Sequence, residues 1–215
     1  MNPASHADVL IVGAGSAGCV LAESLSRDPA CQVTLVEAGP GTGDRRVREQ
    51  IGDGLSLPIG LASSVVRRYE TTLTDRPRRT ASIMRGAVLG GSGAVNGGYF
   101  CRGLPADFDG WNLPGWSWQD VLPHFIDIET DLDFDGPLHG TAGPMRIRRI
   151  SELEIGATAF VEAARERGYG WVADLNGSDA GRPGVGAVPL NIDRGTRVGP
   201  GDAFLGRAGA RSNLT

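Results

Sequence analysis

The chain has 215 residues, 40% of them hydrophobic, and its 21 basic and 25 acidic side chains give a net charge of −4. This balance argues against a nucleic-acid binder that depends on phosphate contacts, and no stretch approaches the roughly 18 consecutive apolar residues of a membrane span. The three cysteines lack the spacing of a metal site or a disulfide framework, and Cys19 and Cys31 are predicted to be buried thiols. The composition predicts a cytoplasmic globular protein and leaves peripheral membrane contact open.

The first predicted elements form a strand–turn–helix–strand unit over residues 8–39. A short apolar strand precedes the G-x-G-x-x-G sequence at residues 13–18, a helical run to Arg27 follows, and a second strand ends at Glu37. Glu37 lies nineteen residues beyond Gly18, close to the ~20 residues expected for a ribose-binding acid. The unit predicts a site for an adenine dinucleotide; the alternative is a glycine-rich turn that binds nothing.

The residue types in this unit each suit the binding of a dinucleotide for a different physical reason. Gly13 allows the tight turn, Gly15 lets the backbone approach a pyrophosphate, and Gly18 lets the helix pack closely on the strand. The helix N-terminus offers unpaired N–H groups to the phosphates. Glu37 can accept hydrogen bonds from both ribose hydroxyls, and its charge would repel a 2′-phosphate, so FAD or NAD is favoured over NADP.

A second glycine cluster lies further along the chain. Residues 40–68 have a loose composition in which the charged run 44–49 predicts a solvated face, and residues 69–74 alternate like a strand before an Arg-rich turn. Glycines then crowd residues 85–99, where the missing Cβ atoms let the backbone pass close to a flat or charged ligand. Ser92 and Asn96 lie four residues apart and would face the same side of a helical turn. Alone, this cluster is equally consistent with a flexible loop.

The following segment combines helix signals with an acidic run. Ser117 and Asp120 form a helix-capping pattern, and Pro123 is expected to bend or shorten that helix. Acidic residues between 127 and 135 predict a solvated connector; the alternative, a calcium loop, lacks its closing Glu because Ala142 occupies that position. Residues 145–148 alternate like an edge strand, and apolar residues between 153 and 164 predict an amphipathic helix that Gly168 ends.

With both glycine clusters placed, the chain resembles the glucose–methanol–choline (GMC) family of FAD-dependent oxidoreductases. The shared motifs occur in family order along nearly the whole chain. They are residues 12–19, Glu37-Ala38-Gly39, Arg85-Gly86, Gly90-Gly91-Ser92, Asn96-Gly97, Arg102-Gly103, residues 114–117, residues 120–123, His139-Gly140-Thr141 and Asn213-Leu214.

The resemblance implies an α/β fold with an incomplete, Rossmann-like FAD-binding domain and the start of a substrate or cap region. Within residues 1–215 it places the βαβ dinucleotide-binding unit at 8–39, a second flavin-contacting glycine cluster at 85–103, and the start of the cap and of the remaining FAD domain at 151–215. No metal ligand is expected, and His139 is implied to be a turn residue and not a catalyst. The predicted cofactor-binding residues are Gly13, Gly15, Ser16, Ala17, Gly18, Glu37, Ser92, Asn96, Gly97 and Tyr99.

By the resemblance, Ser16 and Ala17 meet the FAD pyrophosphate and Glu37 meets the adenosine ribose. The residues from Ser92 to Tyr99 that match the family's second signature pack along the pyrophosphate and the flavin.

One residue and one short segment depart from the family pattern. Gly93 stands where many members carry Ser or Thr, which would remove a hydroxyl beside the flavin and loosen the loop. Residues 199–202 replace a Ser/Ala-rich stretch. The amino-acid sequence of residues 90–103 resembles that of the actinobacterial branch of the family, which is associated with the peptide-derived redox cofactor mycofactocin. Family members are more than twice as long, and the resemblance places their catalytic His pair in the absent C-terminal half, so the chain is interpreted as a fragment or a truncated gene product.

The implied activity is oxidation of an alcohol, in which a His base takes the hydroxyl proton and hydride passes to the flavin. The expected partner is a small-molecule alcohol or a reduced redox cofactor, with the electron acceptor unspecified. Three alternatives stay open: an FAD-dependent lyase of the same family, a non-catalytic remnant that cannot hold FAD, and a nicotinamide-dependent dehydrogenase, which the second glycine cluster disfavours.

Overall fold

The computed structural model describes residues 6–215, which form two compact units. The first unit contains residues up to Gly98 together with Arg194–Thr215, and the second contains Tyr99–Asp193. None of the described helices has the length and hydropathy needed to cross a bilayer; the longest, near the middle of the second unit, has 12 residues.

The regular elements follow one another in short segments. In chain order they are β1 (Val9–Val12), α1 (Ser16–Leu25), β2 (Val33–Val36), α2 (Arg45–Gly52), β3 (Val66–Asp75), β4 (Arg78–Gly86), α3 (Pro105–Asp109), α4 (Trp118–Ile128), β5 (Glu129–Asp131), β6 (Met145–Ile147), α5 (Ile155–Glu166), β7 (Gly170–Trp171), β8 (Gly184–Val185), β9 (Ile192–Asp193), β10 (Thr196–Arg197) and α6 (Gly206–Ala208). A 3₁₀ turn spans Gly91–Ala94, and a π-helical turn spans Gly201–Leu205.

The first unit is built on a parallel pair of strands. β1 and β2 pair in parallel with Val9 opposite Val33, and α1 connects them. Leu214 adds a further parallel segment on the other side of Val33. A parallel pair joined by a helix is the βαβ arrangement of Rossmann-like folds, as the sequence predicts.

Asn213 anchors the last residues of the chain to the turn that follows α1. Its side chain is buried, and Nδ2 donates to the carbonyl oxygens of Ser26, Asp28 and Cys31 at 3.1, 2.8 and 2.8 Å. These three bonds hold the segment 213–215 beside β2. The Asn213-Leu214 motif thus has a structural reason, because the asparagine sets the register of the added strand.

The loosely composed region contains a helix that the sequence analysis does not predict. Asp44 caps α2 by accepting a hydrogen bond from the N–H of Arg46 at 2.8 Å. Val47 and Ile51 lie four residues apart and are buried in a core cluster with Val65. The interpretation of residues 44–49 as a solvated face therefore holds for the charged side chains and is wrong for Val47.

β3 and β4 form an antiparallel hairpin that is longer than the predicted strand. Val66 pairs with Gly86 at the base, and the turn falls at Arg76-Pro77. The hairpin therefore leads directly from Val65 in the core to the second glycine cluster, which begins where β4 ends.

The second unit contains two small parallel ladders and three helices. β5 pairs with β6, with Glu129 opposite Met145, and β7 pairs with β8. α4 begins with the predicted capping box, in which Ser117 and Asp120 bond reciprocally, but it continues through Pro123 to Ile128, so the proline does not end it. Gly168 takes the left-handed conformation after α5, with φ of +88°, as expected.

Candidate functional site

The candidate site begins where β1 turns into α1. Gly13 adopts a left-handed backbone conformation with φ of +96°, which residues with side chains rarely take. A Cβ on Gly18 would lie 2.1 Å from the carbonyl oxygen of Gly13, so only glycine lets α1 approach the turn this closely. The turn and packing functions suggested for these two glycines therefore have a geometric basis.

The N-terminus of α1 fits a pyrophosphate. The first N–H groups of a helix have no partner within it and carry partial positive charge, and no side chain of the described residues caps them. Ser16 and Ala17, the first two residues of α1, are exposed. A Cβ on Gly13 or Gly15 would meet no atom of residues 6–215 within 4 Å. Open space in front of unpaired donors is what a diphosphate requires.

Glu37 lies directly after β2 and is half-buried beside the glycine turn. Its Oε2 accepts a hydrogen bond from the N–H of Ala14 at 2.8 Å, and its Oε1 accepts one from the N–H of Gly39 at 2.8 Å. These bonds fix the carboxylate, and each oxygen keeps a further acceptor position. Glu37 can therefore accept bonds from two neighbouring hydroxyls without losing its backbone contacts.

The second glycine cluster lies against the first. The N–H of Gly90 donates to the carbonyl oxygen of Ala14 at 2.7 Å. Gly91 has φ of +57°, and a Cβ on it would lie 2.7 Å from the Cα of Gly15. The structure thus brings together two motifs that the sequence analysis identified separately.

The polar residues of the second cluster do not share one helical face. The Ser92 hydroxyl oxygen accepts a bond from the N–H of Gly86 at 3.1 Å. Asn96 lies beyond the 3₁₀ turn, which ends at Ala94, and its Oδ1 accepts a bond from the N–H of Gly98 at 2.9 Å. The prediction that Ser92 and Asn96 occupy one helical turn is therefore wrong, although both are exposed, as is Gly97.

Tyr99, the last of the predicted cofactor-binding residues, belongs to the second unit. Its side chain is exposed, and its backbone bridges to Leu190.

Gly93 is closely packed, so the expectation that it loosens the loop is wrong. A Cβ there would lie 2.5 Å from the hydroxyl oxygen of Ser16 and 2.7 Å from Cγ of Pro200. In the sequence, Pro200 stands out only as a departure from the family pattern. Its position beside Gly93, next to the same space as the Ser16 hydroxyl, depends on contact between distant segments, which no local pattern indicates.

Cys19 supports the glycine turn from behind. Burial raises the pKa of its thiol to about 11, and Sγ donates to the carbonyl oxygen of Ala14 at 3.3 Å. The thiol therefore stays protonated at neutral pH. The prediction of a buried thiol is confirmed for Cys19, while Cys31 is half-buried and Cys101 is exposed.

In the second unit, Asn176 holds the segment that follows Tyr99. Its Oδ1 accepts a hydrogen bond from the N–H of Arg102 at 2.9 Å, and its Nδ2 donates to the carbonyl oxygen of Phe100 at 3.0 Å. The sequence pattern alone gives Asn176 no function. The available signal is an Asn-Gly pair in a glycine-rich loop, which also fits an ordinary turn.

The prediction of a solvated acidic run holds for Asp127, Asp133 and Asp135, which are exposed, and is wrong for Glu129 and Asp131, which are buried in β5. Glu129 is 0% exposed and lies 2.5 Å from Nη2 of Arg102, and Asp131 is 7% exposed with both oxygens 2.6 Å from Nη1 of Arg149. Burial raises the pKa of Asp131, but the hydrogen bond from Arg149 and two backbone N–H bonds outweigh burial and hold the pKa below its usual range. These carboxylates therefore serve the packing of the second unit.

His139 is part of the same buried cluster. Its Nε2 lies 2.8 Å from Oδ2 of Asp174, and its Nδ1 lies 3.3 Å from Glu129 and 3.2 Å from Asp131. Although ligand atoms of Glu129, Asp131 and His139 lie within 4.8 Å of one another, Arg102 and Arg149 already compensate the carboxylates. We assign no metal here. His139 is thus a buried member of this polar cluster as well as a residue of its turn.

A glycine turn at the start of a βαβ unit, with an acid after the second strand, defines a dinucleotide-binding protein of the Rossmann-like class. Residues 7–215 match the model of the GMC oxidoreductase family. The chain therefore belongs to the GMC oxidoreductase family, whose members bind FAD.

Three known proteins illustrate the similarity. An uncharacterised GMC-type oxidoreductase of Rhodococcus erythropolis is 42% identical over 100% of this chain and 43% of its own length. The oxygen-dependent choline dehydrogenase of Vibrio vulnificus is 36% identical over 97% of this chain and 38% of its own length. The solved structure of Aspergillus oryzae formate oxidase, described for its FAD modification, superimposes with a TM-score of 0.82 at 26% identity, over 100% of this chain and 38% of the other. The chain thus spans about two-fifths of the relatives that it matches.

Proposed function

We propose that this chain binds FAD as the N-terminal portion of an oxidoreductase that oxidises CH–OH groups. The observation that carries the proposal is the contact of the two glycine clusters, in which Gly91 approaches Gly15 beside the fixed carboxylate of Glu37. A simple nicotinamide domain has no need of the second cluster. The family match supports FAD as the dinucleotide.

The proposed contacts follow from the geometry of each group. The open backbone at Gly13 and Gly15, with Ser16, Ala17 and Gly18 at the start of α1, would hold the pyrophosphate. Glu37 would accept the two hydroxyls of the adenosine ribose. The remaining proposed contacts, along the pyrophosphate and the flavin, are Ser92, Asn96, Gly97 and Tyr99.

The proposed division of the chain follows the same reasoning. Residues 8–39 form the dinucleotide-binding unit, residues 85–103 the flavin-contacting cluster, and residues 151–215 the start of the cap and of the remaining FAD domain. When bound, FAD supplies a flavin that accepts hydride from an alcohol carbon. The residues of this chain bind and orient that cofactor, and we assign none of them a catalytic role.

A titration with FAD tests the proposal. Glu37→Ala removes the ribose acceptor, and since hydrogen bonds to charged groups contribute about 1.5–3 kcal/mol, we expect FAD affinity to fall about tenfold or more. The readout is quenching of flavin fluorescence on binding. Glu49→Ala, which alters an exposed glutamate paired with Arg45, is the matched control and should leave affinity unchanged. Wild-type protein that is colourless after incubation with excess FAD and removal of the unbound cofactor would contradict the proposal.

The reaction is tested in the protein expressed from the complete gene. Primary or secondary alcohols should bleach the flavin absorbance without oxygen, whereas an FAD-dependent lyase would cleave its substrate with the flavin still oxidised.

We also propose a link to mycofactocin, which rests on the amino-acid sequence of residues 90–103, including Gly93 and Cys101. Bleaching by reduced mycofactocin, faster than by simple alcohols, would support that link.

A further inference from the structure

Three distant segments meet at the position where Gly93 lacks a side chain. A Cβ on Gly93 would lie 2.5 Å from Oγ of Ser16, and 2.7 and 2.9 Å from Cγ and Cδ of Pro200. Real Cβ atoms essentially never approach other atoms this closely. The Ser16 hydroxyl and the Pro200 ring therefore both border the space beside Gly93, and a side chain at position 93 would displace at least one of them.

The ring of Pro200 is held rigidly in this position. Proline has a fixed φ, so the ring moves only with its backbone. The glycines on each side are packed against the second cluster: a Cβ on Gly201 would lie 3.2 Å from the backbone nitrogen of Gly90, and a Cβ on Gly199 would lie 3.2 Å from Cα of Ala94. Pro200 is thus fixed at both neighbours, and its ring borders the same space beside Gly93 as the Ser16 hydroxyl.

Ser16 has a hydroxyl that is free for a ligand. It is the first residue of α1, its side chain is exposed, and within residues 6–215 its hydroxyl has no hydrogen-bond partner. A serine side chain chooses among three staggered rotamers. The Pro200 ring borders one side of the space beside Gly93 that the hydroxyl can enter, which limits that choice.

We propose that Pro200 is a positioning residue for the Ser16 hydroxyl, which it keeps in the rotamer that donates to the FAD pyrophosphate. This inference rests on the proposed function, because it takes the dinucleotide to lie at the start of α1. Gly93 is also required for this arrangement, since its missing Cβ leaves space for the Ser16 hydroxyl and the Pro200 ring.

A double-mutant cycle in FAD affinity tests whether Pro200 acts through Ser16. In the protein expressed from the complete gene, Ser16→Ala should weaken FAD binding about tenfold by removing a hydrogen bond to a charged group. Pro200→Ala should weaken it about threefold, because a side chain free among three rotamers spends about a third of its time in the productive one. The double variant should bind FAD no more weakly than Ser16→Ala alone. Pro183→Ala, at an exposed proline in the second unit, controls for the general effect of losing a proline.

A second cycle measures the packing without FAD. Gly93→Ala should lower the Tm of the apoprotein, and adding Pro200→Ala should recover part of that loss, because the alanine lacks the two ring carbons nearest the new Cβ. Gly41→Ala is the matched control, since a Cβ there would meet no described atom within 4 Å and its φ is ordinary.

The outcomes separate this inference from the proposed function. Wild-type protein that binds no FAD overturns the proposed function and this inference with it. FAD binding with losses that multiply in the double variant, or with no loss on Pro200→Ala, overturns the inference alone. Failure of Pro200→Ala to recover any stability lost in Gly93→Ala also overturns it.

Discussion

At Gly91, backbone conformation and available space both require glycine. Its φ of +57° lies in the left-handed region, and a Cβ would lie 2.7 Å from Cα of Gly15. The neighbouring atom is backbone, so it cannot move aside as the end of a flexible side chain would. The approach of the two glycine clusters therefore depends on this single residue.

We expect Gly91→Ala to destabilise the protein by about 3 kcal/mol, because the left-handed conformation costs an alanine about 1–2 kcal/mol and overpacking adds about 1–3 kcal/mol. FAD affinity should fall with stability, since the two clusters can no longer approach. Urea denaturation of the apoprotein and a fluorescence titration with FAD measure the two effects.

Gly41→Ala is the control for Gly91→Ala. Gly41 is exposed, with ordinary φ and open space around it, so alanine there should stabilise the protein slightly by restricting the unfolded chain. Equal effects of the two substitutions would show that the clusters are not in close contact.

At the scale of elements, β1 presents two different faces. Ile11 is 8% exposed and packs in a core cluster with Ala22 and Val33, whereas its neighbour Val12 is 81% exposed. Alternation along a strand produces this difference, because successive side chains point to opposite faces of the sheet. Leu10 and Val36 are also largely exposed, so one face of the parallel pair is apolar and uncovered within the described residues.

A matched pair of substitutions in β1 tests the assignment of its faces. In the 215-residue chain, Ile11→Thr should cost about 2–3 kcal/mol, because it removes buried carbon and buries a hydroxyl. Val12→Thr should change stability by less than about 0.5 kcal/mol. Chemical denaturation measures both, and a larger cost at Val12 than at Ile11 would contradict the assigned register.

Repeating the pair in the protein from the complete gene adds information. A cost at Val12 that rises above about 1 kcal/mol there would show that further chain covers this face.

For the molecule as a whole, sequence reasoning succeeds where a local pattern or a recognisable motif spacing marks the structure. The Ser117 cap and the Gly168 stop were predictable because each rests on neighbours a few positions apart, and the βαβ unit because its glycine turn and closing acid stand at a recognisable spacing. The burial of Glu129 and Asp131 was not, since their partners Arg102 and Arg149 lie 27 and 18 residues away.

The candidate site shows the same division. The turn at Gly13 and the acid at Glu37 follow from local spacing, and the family resemblance adds the second cluster. The crowding around Gly93 depends on Ser16 and Pro200, whose proximity only the folded chain reveals.

The buried cluster of the second unit makes stability depend on pH in a defined direction. The pKa of Asp131 is lowered in the folded state, so its ion pair contributes stability above the unfolded pKa of about 3.9 and loses it as pH falls through the folded value. Asp131→Asn should therefore lower stability at pH 7 by about 3–5 kcal/mol, since it leaves the buried Arg149 without its main partner.

Urea denaturation at steps from pH 7 to pH 2 should show a smaller acid-induced loss of stability in Asp131→Asn than in the wild type. Asp127→Asn, at an exposed position without an ion pair in the described chain, should reproduce the wild-type curve. Parallel curves for Asp131→Asn and wild type would show that the carboxylate does not carry this pH dependence.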